Sequence, residues 1–168
     1  PPSSRTTVWV DQIPGLGNTD ISASISAPLP IIVERAMYWG NGAWTDGHAS
    51  AGVTATGLKW ALAEGEHGGS RGYVTYILLA NPNGTDAAAR VTLLRAAGLP
   101  PLTMDVVVPA NARLTVSAPQ FRLGDGERFG VIVESQNGVP IVVERAMYWN
   151  GGGRYWGAGT NETAFKLR

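Results

Sequence analysis

The chain of 168 residues contains no cysteine. That excludes disulfides, thiol catalysis and cysteine-based zinc sites. It has two histidines, and they are not at HxxxH spacing, which argues against a zinc enzyme. Charge is also scarce: charged residues make up 15% of the chain, against about a quarter in an ordinary globular domain. Lys+Arg and Asp+Glu are both 13, so the formal net charge is zero. With no basic surplus and no run of Lys/Arg, nucleic acid is set aside as a partner. No apolar run is long enough to span a bilayer, so no membrane insertion is expected. No signal peptide is visible, and the chain starts at Pro1 instead of Met. The expectation is that upstream sequence was removed or lies outside this stretch.

What the chain does have is turns and β-formers. There are 22 Gly and 11 Pro, and apolar residues reach 44%, enough to bury a core. Between the turns lie runs rich in Thr, Val, Tyr and Trp. This pattern predicts strands at 5–10, 20–27, 30–39, 58–64, 72–80, 88–96, 102–108, 112–117, 128–135, 139–149 and 162–167, and no sustained helix. NPNGTD at 81–86 and LGDG at 123–126 punctuate them as turns. The expected fold is all-β: an antiparallel sandwich, immunoglobulin-like in general architecture.

A repeat organises these strands. Residues 30–39 read PIIVERAMYW and residues 140–149 read PIVVERAMYW, identical at nine of ten positions and offset by 110 residues. Downstream, Trp44 aligns with Trp156 and Gly47 with Gly159 if two residues are inserted. Upstream, Arg5 falls over Arg113 and Val8 over Val116. A period near 110 residues is too long for a solenoid and suits a sandwich domain. The chain then holds about one and a half copies of the unit. Residues 1–56 read as the second half of a preceding copy, with about three strands, and 57–168 as a complete one.

The strings GAWTDGHASAG (42–52), WALAEG (60–65), YILLANP (76–82), VPANAR (108–113) and PIVVERAMYW (140–149) resemble a repeat module of bacterial secreted and cell-surface proteins. Such modules occur as arrays of copies of roughly this length, often beside enzymes or cell-wall-binding domains. The resemblance implies a β fold, an extracellular or cell-surface setting and repetition. It implies no activity.

Four sets of residues are candidates for chemistry. On a strand, Arg35 shares a face with Ile31, Val33, Met37 and Trp39, and Glu34 lies on the other. One charge must therefore sit on a largely apolar face and needs a partner. Glu34, Arg35, Glu144 and Arg145 are read as ion pairs that set the sandwich register. Reading Glu34 and Glu144 as an acid/base pair is discounted, because equivalent residues of two copies should stand about a domain apart, beyond the reach of glycosidase carboxylates.

Trp44 and His48, with Asp46 nearby, and Tyr155 and Trp156 form aromatic, polar loops after each ERAMYW. They could stack on sugar rings, or each Trp could fold back as a lid, the reading taken here. Glu64, Glu66 and His67 in AEGEHGG are read as a solvated turn and not a metal site. Asn83 and Asn161 head N-glycosylation triplets, read as plain polar sequence.

No nucleophile-elbow or other convergent catalytic set is visible, so no catalytic residue, metal or cofactor is assigned. The function expected is a non-catalytic structural or adhesive surface module. It would associate with itself or with neighbouring units, sharing strands to build a filament or array. The alternative is a polysaccharide-binding module accessory to a secreted hydrolase.

Overall fold

The computed structural model describes residues 2–40, 44–96 and 98–168. Two antiparallel sheets form a β-sandwich, and among the described residues the only helical pieces are 3-10 turns at Val10–Gln12 and Ala118–Phe121. The strands are β1 (Glu34–Trp39), β2 (Asp46–Ala51), β3 (Lys59–His67), β4 (Val74–Asn81), β5 (Ala87–Arg95), β6 (Leu102–Val108), β7 (Ala112–Ser117), β8 (Glu127–Ser135), β9 (Val142–Gly151), β10 (Arg154–Thr163) and β11 (Phe165–Lys166). One sheet runs β10-β9-β4-β7 and the other β11-β3-β8-β5-β6. A separate two-stranded hairpin, β1-β2, lies outside both.

Alternation builds the core. Along β4 every second residue is buried, and β5 and β8 follow the same period. Ile77 and Leu79 from one sheet meet Val91, Leu93, Val131 and Val133 from the other, with Val143 and Ile141 beside them. Leaving one such face exposed would forfeit about 25 cal/mol for each Å² of apolar surface. The chain changes sheets at buried Ala164, whose N–H donates to the Val143 carbonyl at 3.0 Å. The expected strand 162–167 is therefore two: the end of β10 and the short β11 on the opposite layer.

Asn81 is buried at the end of β4, where the NPNGTD turn begins. Its amide Nδ2 donates to the carbonyls of Thr85, Val108 and Pro109 at 2.8, 3.0 and 3.1 Å. Its Oδ1 accepts from the N–H of Asn83 at 3.0 Å. One side chain thus ties two turns together. Asn81→Ala would orphan several buried groups, and a loss of about 2 kcal/mol is expected, read as a lower denaturant midpoint with an unchanged slope.

Apart from 162–167, the expected strands from 58 onward appear within a few residues of their expected ends. Those of the first half do not. Residues 5–10 and 20–27 form no strand, and 30–39 is a strand only from Glu34. Among the described residues, 1–56 therefore carry two strands, and one of them, β2, was not expected. The overlay of Arg5 and Val8 on Arg113 and Val116 also fails, since only the latter pair lies on a strand, β7. The physical reason is common to all three. A strand is held by its neighbour's backbone, and these segments are laddered to no described strand. Val8, Trp9, Ile25, Leu29 and Ile31 are left exposed. The segment is tied down at Asp20, which pairs with Arg113 at 3.0 Å and accepts from the Thr115 hydroxyl at 3.0 Å.

Candidate functional site

The hairpin β1-β2 repeats the hairpin β9-β10. In the first, Tyr38 is paired with Gly47 and Met37 with His48. In the second, Tyr148 is paired with Gly159 and Met147 with Thr160, the same register. In both, the tyrosine ring lies on the opposite glycine. A Cβ built on Gly47 would come within 2.8 Å of Tyr38 Cδ1, and one on Gly159 within 2.8 Å of Tyr148 Cδ1. The aligned tryptophans near the start of the second strand are both left-handed, Trp44 before β2 at φ 43° and Trp156 within β10 at φ 50°. The turn residues 41–43, part of the GAWTDGHASAG string, lie outside the described residues.

The two hairpins are stacked. Arg35, Trp39, Asp46 and His48 point from the first onto the outer face of the second. Arg35 donates to the Glu144 carboxylate, which also accepts from Asn161 Nδ2 at 2.9 Å. Trp39 Nε1 donates to the Trp156 carbonyl at 2.7 Å, and its ring meets Tyr148 edge-on at 5.2 Å. Arg154 donates to Asp46 at 2.9 Å. His48 Nε2 lies 3.3 Å from the Tyr148 hydroxyl. This cover explains why Ala146, on the outer face of its sheet, is nevertheless buried.

Glu34 and Glu144 are thus not a domain apart, as the repeat alone suggests. The side chain of Arg35 on β1 reaches Glu144 on β9, and β2 lies against β10. The two carboxylates still do not converge, because Glu34 alternates to the far side of β1 while Arg35 takes Glu144. Arg145 occupies the opposite face of β9 and is buried between the sheets. Its Nη1 donates to the Glu64 carbonyl at 3.0 Å and lies 3.3 Å from the Glu64 carboxylate, and Nη2 is 3.9 Å from Glu162. A register shift in β3 between Leu62 and Gly65 turns Glu64 toward it. Arg35 and Arg145 therefore both meet glutamate, but on opposite sides of the same sheet.

The aromatic residues divide into two groups. Tyr155, Trp156 and Tyr148 stack in series, with centroids 5.2 and 5.0 Å apart and planes at 14° and 21°. Their faces cover one another, and only the terminal Tyr155 is strongly exposed. Trp44 sits on the other face of the first hairpin. It is 62% exposed and 6.0 and 6.4 Å from Trp9 and Tyr38. Glu34, Tyr38, Trp44 and Ala49 line a shallow recess there.

Elsewhere, Glu66 pairs with Arg128 at 3.0 Å. Among the described residues no three His, Cys, Asp or Glu side chains gather as a metal site. The amide nitrogens of the two glycosylation triplets are engaged, Asn83 Nδ2 with the Pro140 carbonyl at 2.7 Å and Asn161 with Glu144. The contacts missed from sequence are Trp39, Tyr148, Asn161 and Arg154. Alternation along ERAMYW already puts Trp39 on the face of Arg35, but nothing in the sequence says what that face covers.

Burial pushes the His48 pKa below its ordinary value; Arg35 acts in the same direction and Glu144 opposes both. Burial likewise raises the Tyr148 hydroxyl. For His48 the sign follows from linkage. The free side chain binds its proton more tightly than the docked one, so docking is strongest above about pH 6.5, the ordinary histidine value, and weakens as pH falls through the docked pKa. The protection factors of the β1-β2 amides, corrected for the intrinsic pH dependence of exchange, should fall between neutral and mildly acidic pH. His48→Gln should flatten that dependence, and an unchanged profile in the variant would exclude His48 as its source.

No family model and no curated protein matches this chain. Among solved structures, the crystal structure of Thermotoga maritima 1070 is similar with a TM-score of 0.58 at 17% identity, over 67% of this chain and 96% of that one. Anabaena sensory rhodopsin transducer is similar over 56% of this chain and 99% of its own, at 20% identity and a TM-score of 0.45. The likeness to the Thermotoga maritima protein is one of β fold.

Proposed function

We propose that the protein is a non-catalytic structural or adhesive module of a repeat-containing bacterial surface protein, assembling by contact and strand sharing between like units. One observation carries this reading: a hairpin of one copy is seated on the equivalent hairpin of the next through an ion pair, an indole hydrogen bond and ring packing. The unit therefore makes a surface that its own sequence recognises. Because the two faces of the hairpin differ, such contacts are head-to-tail and build a ring or an open filament, according to the rotation between units. Zero net charge suits close lateral packing. The extracellular setting rests on the resemblance of WALAEG, YILLANP and PIVVERAMYW to secreted and surface repeats. Sedimentation and electron microscopy of the purified chain test the reading. Concentration-dependent oligomers or filaments are expected, and a strict monomer at high concentration would count against assembly.

Polysaccharide binding stands as the second reading, favoured by the exposed Trp9, Tyr38 and Trp44 beside Glu34. The stacked series of Tyr155, Trp156 and Tyr148 argues the other way, since a sugar needs open ring faces. Calorimetric titration with cell-wall and plant oligosaccharides separates the two. Heat that saturates and disappears in Trp44→Ala would favour the binding module.

A further inference from the structure

Strands β1 and β9 share the sequence ERAMYW, and β9 displays what that sequence takes on each of its edges. One edge of β9 holds β10, and β1 holds β2 in the same register. The other edge of β9 holds β4, antiparallel, with Val74 opposite Tyr148, Thr75 opposite Met147, Tyr76 opposite Ala146 and Ile77 opposite Arg145. The corresponding edge of β1 is joined by no backbone ladder to any described segment.

We propose that this free edge of β1 is an acceptor for a strand of the β4 type, contributed by another copy of the unit. The proposal rests on the structural-module reading and names the edge, the donor segment and the register. The donor's Val74, Thr75, Tyr76, Ile77 and Leu78 fall opposite Tyr38, Met37, Ala36, Arg35 and Glu34.

Two further observations support it. Residues buried in the second copy are open in the first: Ile141 is 0% exposed and its counterpart Ile31 59%, while Met147 is 4% and Met37 40%. The same repeat also explains where β1 begins. Val142 and Val143 are laddered to Ala80 and Leu79 of β4. Their counterparts Ile32 and Val33 have no such partner and lie outside the strand. A β4-type donor would extend β1 back to Ile32, which is 99% exposed without it. Segment 74–81, VTYILLAN, carries no charge, so nothing in it repels Glu34 or Arg35. Within this chain β4 is already flanked by β7 and β9. The donor is therefore a copy whose β4 has exchanged its own ERAMYW strand for β1.

The absence of native cysteine makes the register measurable. A synthetic peptide of residues 72–83 is titrated into the full chain carrying Ala36→Cys, with the peptide carrying Tyr76→Cys. A second pairing uses Met37→Cys with Thr75→Cys. Adjacent cross-strand pairs alternate between wide and close spacing, so one of the two has the geometry a disulfide needs. Saturable binding is expected, with disulfide capture several-fold above that of peptides carrying the cysteine at Val74 or Leu78. Amide exchange at Glu34 and Ala36, whose N–H groups face the free edge because Val33 turns its backbone to Gly52 on the β2 side, should slow at least tenfold. Ala146→Cys, whose edge is filled by β4, should capture little.

No saturable binding, or capture spread evenly over the peptide, would overturn the proposal. If the intact chain assembles and the peptide neither binds nor competes, the acceptor edge is wrong and the module reading survives. If the peptide binds in register and the chain never assembles, the edge stands and the assembly reading fails.

Discussion

Arg145→Ala is expected to lower the stability of the sandwich by about 3 kcal/mol, within the range for breaking a buried ion pair. The corresponding Arg35→Ala should cost no more than about 1 kcal/mol, the usual ceiling for an exposed pair. The two residues occupy the same place in the same hexapeptide, so the difference isolates environment. Arg145 is 3% exposed and fills space between the sheets, with its guanidinium on the Glu64 carbonyl. Truncation leaves a cavity and an unpaired, part-buried carbonyl. The Glu64 and Glu162 carboxylates are mostly exposed and regain water cheaply, which keeps the loss from being larger. Arg35 is partly exposed, and Glu144 keeps its bond from Asn161 when Arg35 is removed. Arg145→Met should recover most of the loss, because it restores the apolar stem and removes the desolvated charge. Thermal melts of the three variants decide the matter. At about 4 °C per kcal/mol for a domain near 100 residues, Arg145→Ala should melt about 12 °C below the parent. Equal melting points for Arg35→Ala and Arg145→Ala would show that the buried arginine contributes nothing special.

The parts of the fold legible in the sequence are those where local pattern and tertiary setting agree. Tyr73 to Ala80, Ala89 to Arg95 and Val106 to Val108 alternate or run apolar between strong turns, and each finds a partner strand. Residues 5–10 are rich in β-formers and 20–27 alternate Ile with Ser, but neither is laddered to a described strand, and β propensity without a ladder does not make a strand. The reverse failure is β2, whose Asp-Gly-His-Ala-Ser-Ala has neither β-branched nor large apolar residues. It is a strand because ERAMYW beside it sets the register. The middle of β10, Gly157-Ala158-Gly159, escaped for the same reason. At the site, Arg35, Glu144, His48 and Trp156 were all visible as candidates. Their meeting was not, because it depends on one hairpin lying face-on over another 109 residues away. Periodicity reports which residues share a face, and says nothing about what that face lies against.

Gly159→Val should undock the first hairpin while leaving the sandwich folded. A Cβ at Gly159 would meet Tyr148 Cδ1 at 2.8 Å and Trp39 Cζ2 at 2.9 Å. Both contacts are closer than side chains tolerate, and valine adds two methyl groups beyond the Cβ. Tyr148 lies between the sheet and the docked hairpin, so it cannot move outward without displacing Trp39. The indole of Trp39 is held by its bond to the Trp156 carbonyl and cannot yield while the hairpin stays in place. The clash is on the outer face, away from Ile77, Leu79 and Val143, so the core is untouched. The strand pairing of β9 with β10 should also survive, because valine is a good strand former. Amide exchange in β1 and β2 should then rise by at least tenfold while β4 and β9 stay protected, and Trp39 fluorescence should shift to the red as the ring enters water. Gly159→Ala should give the same changes at smaller amplitude. If Gly159→Val instead leaves β1 and β2 as protected as in the parent, the hairpin is not held by the packing of Trp39 on Tyr148, and the stacking of one copy upon the other loses its physical basis.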